Sequence, residues 1–113
     1  MAYAKTAQLK GDSKSYRLSK EIKKYSLLDV GFIESKNGKF QLERPLDPDR
    51  PANSAFYLKM TVKPDLSAFK MTTTTANGLQ QINIFKKNSP EMLEQLNYIL
   101  KELEDRKIIE QVD

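Results

Sequence analysis

A chain of 113 residues with 19 Lys plus Arg against 15 Asp plus Glu, 39% apolar residues and no Cys, His or Trp is expected to fold as one domain, 1–113, around one core. Without Cys there is no disulfide framework, thiolate nucleophile or thiolate metal site; without His there is no Ser-His-Asp triad, imidazole ligand or switch titrating near neutrality. No apolar run is long enough to span a bilayer, and Met1 to Leu18 shows no secretory signal, so a cytoplasmic protein with no membrane contact is expected.

Ala2 to Leu9 can run as a strand, Lys10-Gly11-Asp12-Ser13-Lys14 has turn composition, and Ser15 to Leu18 can pair back. Ser19 is placed to cap a short helix over Lys20 to Leu28, with Ile22, Tyr25 and Leu28 on one face and Gly31 as its stop. Phe32 to Ser35 and Lys39 to Glu43 flank Asn37-Gly38, the dipeptide that best tolerates two positive φ angles, so a tight hairpin is predicted. Pro45 to Pro51 holds three prolines and is expected to be a stiff exposed loop outside any ladder.

Strict alternation follows: Phe56, Leu58, Met60 and Val62 point one way, and Tyr57, Lys59, Thr61 and Lys63 the other. Ala68 to Thr75 is a strand on β-branched propensity, Asn77-Gly78 is a second turn, and Leu79 to Phe85 is the strand returning from it. Ser89 caps the last helix, Pro90 takes its first position, and Glu91 and Glu94 complement the dipole. Met92, Leu93, Leu96, Ile99, Leu100 and Leu103 form its apolar stripe, through about Arg106. The order implies an α+β fold: an antiparallel sheet of about five to six strands, with a short N-terminal and a long C-terminal helix on one side.

Charge is unevenly placed along this order. Residues from Ser89 onward carry a net charge of −4, and the first 88 carry +8. An acidic terminal helix against a basic body suggests a partner surface.

Catalytic and metal motifs are weak. Gly11-Asp12-Ser13 resembles the start of a hydrolase motif, but such enzymes rely on a His base, so a turn is expected. Asp47-Pro48-Asp49 lacks the alternate ligands and the glycine of a calcium loop. The four glycines are isolated, which leaves no phosphate cradle. No enzyme activity, no metal and no cofactor are expected.

One surface rises above background. On the outward sheet face, Tyr57, Lys59, Thr61, Lys63, Lys70, Asn83 and Phe85 interleave cations with aromatic rings. That pattern suits a partner protein, or RNA and single-stranded nucleic acid as the alternative. It also suits an ordinary wet sheet face, although an exposed Phe85 implies either a partner or a bulge that turns it inward. The loop residues Asp47, Asp49 and Arg50 form a candidate docking feature beside it, stiff enough to lose little entropy on binding. A third alternative is a small-ligand pocket between the long helix and the sheet.

Ala4-Lys5-Thr6, the Gly11-Asp12-Ser13-Lys14 turn, Ile22-Lys23-Lys24-Tyr25 and the string Phe40-Gln41-Leu42-Glu43-Arg44-Pro45-Leu46-Asp47 together resemble a small domain-of-unknown-function family of lactic-acid bacteria, over nearly the whole chain. The resemblance implies a curved antiparallel sheet similar to that of the TATA-box-binding protein, and it brings no site residues. It also implies gene neighbours for cysteine desulfuration and tRNA thiolation, hence an accessory role in sulfur transfer or tRNA modification. The chain itself, lacking Cys, cannot carry the sulfur.

Overall fold

The first hairpin forms, with a first strand much shorter than the predicted Ala2 to Leu9. In the computed structural model, which describes residues 3–47, 51, 55–76, 78, 80–86 and 89–112, β1 (Thr6–Ala7) pairs antiparallel with β2 (Ser15–Leu18), Thr6 opposite Arg17. Between them Asp12 N–H donates to the Leu9 carbonyl and Lys14 N–H to the Asp12 carboxylate at 3.0 Å, so Gly11-Asp12-Ser13 is turn structure.

The first helix, α1 (Lys24–Val30), begins later than predicted. The Ser19 hydroxyl does accept a backbone N–H, but that of Glu21 at 3.1 Å, within a turn that Ile22 N–H closes onto the Ser19 carbonyl. The later start rotates the face turned inward. Leu27 is buried, while Tyr25 and Leu28, expected to pack beside Ile22, are 60% and 49% exposed. Gly31 ends the helix in the left-handed conformation, as predicted.

Four strands then form an antiparallel meander in chain order: β3 (Ile33–Glu34), β4 (Phe40–Pro45), β5 (Tyr57–Val62) and β6 (Phe69–Thr74). In the β3–β4 connection Gly38 N–H donates to the Ser35 carbonyl at 2.9 Å and Ser35 N–H to the Lys39 carbonyl at 2.8 Å. Only Gly38 of the Asn37-Gly38 pair has positive φ, at 85°, so this is a longer turn with a glycine bulge and not the two-residue turn predicted.

β4 also runs further than predicted. Pro45 lies opposite Tyr57, and the ladder bond falls on the next residue, where Leu46 N–H donates to the Phe56 carbonyl at 2.8 Å. The proline therefore sits where no N–H is required, and Leu46, expected in an exposed loop, is buried. Alternation in β5 and β6 holds: Leu58, Met60 and Val62 are buried opposite Thr73, Met71 and Phe69.

The strand predicted for Leu79 to Phe85 does not form among the described residues. Gln81 makes one bridge to Thr74, and Ile82 and Thr73 exchange bonds: Ile82 N–H to the Thr73 carbonyl, and the Thr73 hydroxyl to the Ile82 carbonyl at 2.7 Å. Ile84–Lys86 then coils into a short 3-10 turn. The cause is local, because the Asn83 side-chain oxygen accepts Phe85 N–H at 3.0 Å and displaces a strand partner.

The long helix, α2 (Pro90–Asp105), has the predicted start: the Ser89 hydroxyl accepts Met92 N–H at 3.4 Å, with Pro90 first and Glu91 in the first turn. It ends with Lys107 at φ 59°, Lys107 N–H donating to the Glu104 carbonyl and Ile108 N–H to the Leu103 carbonyl. A strand not predicted follows. This strand, β7 (Ile109–Val112), pairs antiparallel with β2, Ser15 opposite Val112.

The architecture is thus α+β with two helices and two antiparallel sheets, ordered β1-β2-β7 and β3-β4-β5-β6, in place of one sheet of five or six strands. A single buried cluster joins Phe40, Leu58 and Met71 from the larger sheet, Leu96 and Leu103 from α2, Leu27 from α1 and Tyr16 and Ile109 from the smaller sheet. Arg44 Nη1 reaches Glu102 Oε1 at 3.5 Å, a further tie between β4 and α2.

Candidate functional site

Residues directly opposite in antiparallel strands share a face, so the register alone assembles the outward surface of the larger sheet. One row holds Ile33, Gln41, Thr61 and Lys70; the next holds Glu43, Lys59 and Thr72; the third holds Pro45, Tyr57 and Thr74. Lys39 and Lys63 flank the buried pair Phe40 and Val62 and project outward at the near end. Among the described residues this surface therefore carries four lysines and a single carboxylate, Glu43, which Lys59 meets at 3.4 Å.

The near end is closed by the chain's own beginning. Ala4 and Phe69 exchange both backbone hydrogen bonds, at 2.9 and 3.0 Å, which sets Tyr3 beside Lys70. The ammonium groups of Lys70, Lys63 and Lys39 stand 4.8, 5.5 and 5.9 Å from the centre of the Tyr3 ring. Each distance is within cation–π reach, worth about 0.5–1 kcal/mol at an exposed site. The Tyr3 hydroxyl is buried without a hydrogen-bond partner among the described residues. At the same end, the Ser67 hydroxyl at 2.6 Å and the Ser67 N–H at 3.0 Å hold the Asp65 carboxyl below the usual carboxylate range, and Lys63 adds to the effect.

Further along, the surface is a trough with two hollows that share Lys59 and Thr61. One, of about 410 Å³, lies against the α1–β3 corner at Gly31 and Ile33; the other, of about 250 Å³, lies between Lys70, Thr72 and Gly78. Gly78 has φ 74°, and a side chain there would stand 2.5 Å from the Lys59 ammonium. Glycine thus serves both the turn and the position of the lysine. Ile33, on the short edge strand, is 72% exposed on this same surface.

Among the described residues, no group of three or more His, Cys, Asp or Glu could hold a metal ion, and no helix is long and apolar enough to cross a membrane. Met92, Leu96 and Leu103 join the sheet side chains in one buried cluster beneath α2.

The model of the DUF1831 family, described as "Putative amino acid metabolism", matches residues 1–110. The chain belongs to the DUF1831 family. It is similar to the crystal structure of a DUF1831 family protein from Lactobacillus plantarum, with a TM-score of 0.91, 51% identity and 99% of each chain covered. No curated protein matches.

Of the residues singled out from sequence, this DUF1831 chain brings together Tyr57, Lys59, Thr61, Lys63 and Lys70. Two do not join them. The Asn83 side chain lies where any side chain at Gly11 would have to go, and Phe85 packs against the core from the 3-10 turn. The inward alternative for Phe85 is thus the one realised. Asp47 follows the end of β4, while Asp49 and Arg50 lie outside the described residues. Sequence reasoning missed Tyr3, Lys39 and Ile33. Tyr3 lies on a segment whose partner strand is far along the chain, and no local pattern reports a pairing of Ala4 with Phe69. Lys39 and Ile33 were accessible from the same alternation that placed Lys59.

Proposed function

We propose that this DUF1831 chain is a non-catalytic, cytoplasmic accessory protein that docks an acidic partner protein on the outward face of its larger sheet. One observation carries the proposal: Ile33, 72% exposed, shares that face with Lys39, Lys59, Lys63 and Lys70 and a single carboxylate. An apolar anchor within a cationic surface suits a protein with a complementary acidic, partly apolar patch.

The resemblance to a family linked to cysteine desulfuration and tRNA thiolation supports an accessory role beside sulfur transfer or tRNA modification. Desulfuration consumes an amino acid, which is compatible with the family's description. The sulfur would stay on the partner, since this chain has no Cys. The curved sheet of the TATA-box-binding protein serves as a comparison for shape, and shape alone gives no reason to expect DNA binding.

The test is capture of partners from the native cytoplasm by the wild-type chain, by Ile33→Asp combined with Lys59→Glu, and by Arg17→Glu on the smaller sheet as control. A partner kept by wild type and control and lost by the double variant is expected; equal retention by all three would remove the face from the proposal. The second reading, RNA on the same surface, is favoured by the Tyr3 and Tyr57 rings among the lysines. If three lysines neutralise phosphates, log affinity falls against log salt with a slope of about −2, far steeper than for a partner held mainly by Ile33.

A further inference from the structure

We propose that Lys39, Lys63 and Lys70, gathered around Tyr3, form a site for a terminal phosphate group, as carried by a phosphomonoester or pyrophosphate. The geometry is unusual for a solvated face: three like charges converge within 5.9 Å of one ring centre. Like charges repel, and flexible lysines on a wet sheet normally spread apart or find carboxylates. Here no carboxylate pairs with them among the described residues. The ion pairs among the described residues join Arg17 to Glu110, Arg44 to Glu102, Lys59 to Glu43 and Lys107 to Glu21, and none includes these three lysines. Asp65 acts on Lys63 through its charge but forms no ion pair with it, and its oxygen Oδ1 accepts both the hydroxyl and the N–H of Ser67.

A terminal phosphate fits this arrangement better than a carboxylate or a phosphodiester. It brings close to two negative charges and three unbridged oxygens, against one charge and two oxygens for either alternative, and lysine engages phosphate as a point charge. The Tyr3 ring they surround carries a hydroxyl that is buried and unpartnered among the described residues. The backbone pairing of Ala4 with Phe69 fixes the segment that carries Tyr3 against the strand that carries Lys70. The site goes beyond partner docking and lies at the opposite end of the face from Tyr57.

The experiment is titration of the full chain with pyrophosphate and with inorganic phosphate, followed by calorimetry and amide NMR shifts. Saturable binding is expected, with shifts at Tyr3, Lys63 and Lys70. Lys70→Ala should weaken it about tenfold and Lys59→Ala by less than about twofold, since only the first removes a charged contact. Ile33→Asp, which disrupts docking, should still bind pyrophosphate, so failure of one proposal is distinguishable from failure of the other. RNA oligonucleotides with a 5′ phosphate should compete better than the same oligonucleotides without it. No saturable binding at millimolar ligand, equal weakening by Lys59→Ala, or competition indifferent to the end group would overturn the site.

Discussion

Lys107 ends α2 at φ 59°, in the left-handed region where glycine is the usual occupant. Its Cβ is strained there, and its ammonium meets Glu21 at 3.0 Å in an exposed pair that contributes little. Lys107→Gly and Lys107→Ala both delete the pair, and only the first relieves the backbone. The Gly variant is expected to be more stable than the Ala variant by about 1 kcal/mol, read from urea midpoints. An Ala variant of equal or greater stability would show that the strain is absent. Tyr16, buried in the core cluster from the smaller sheet, has its phenol pushed up to about 12, first by burial and then by Asp12 and Glu104. Below pH 10 both folded and unfolded chains keep that proton. Above it the unfolded chain ionises first, so stability falls between about pH 10 and 12. Tyr16→Phe should flatten that fall when denaturation is followed across the window, and an unchanged slope would assign it to other groups.

At the scale of elements, α2 and the larger sheet were legible in sequence because each repeats its own period: Leu96, Ile99 and Leu103 along the helix, Leu58, Met60 and Val62 along the strand. The smaller sheet was half legible. Its hairpin carries turn residues, whereas β7 follows a helix stop made by Lys107, which gives no glycine signal, so no element was predicted for Ile108 and Ile109. The false strand at Leu79 to Phe85 has the opposite origin: its pattern is right for a strand, but the Asn83 side chain captures a backbone N–H that a strand would need. The candidate face was readable as far as alternation reaches, through Lys59, Thr61 and Lys70, and not across the long-range bridge that adds Tyr3. Because Ile109 is buried, Ile109→Ala should cost about 2–4 kcal/mol, close to the cost of a core truncation in the larger sheet. A loss below about 0.5 kcal/mol in chemical denaturation would mean that β7 merely covers the surface.

The whole molecule combines two kinds of contact. The larger sheet is made of neighbours in sequence, strand after strand, while the smaller one joins segments such as Arg17 and Glu110 that lie 93 residues apart. Non-local closure is entropically slow, so the meander is expected to be formed in the folding transition state and the β2–β7 pairing to come later. Met60→Ala should then act chiefly by slowing folding, and Ile109→Ala by speeding unfolding; chevron kinetics that reverse this assignment would reverse the order. The pairing of β7 with β2 has a consequence for biosynthesis. During translation β2 is made long before its partner β7, so the nascent chain presents an unpaired greasy edge beside Tyr16, the place where a chaperone would bind and a stalled product would aggregate.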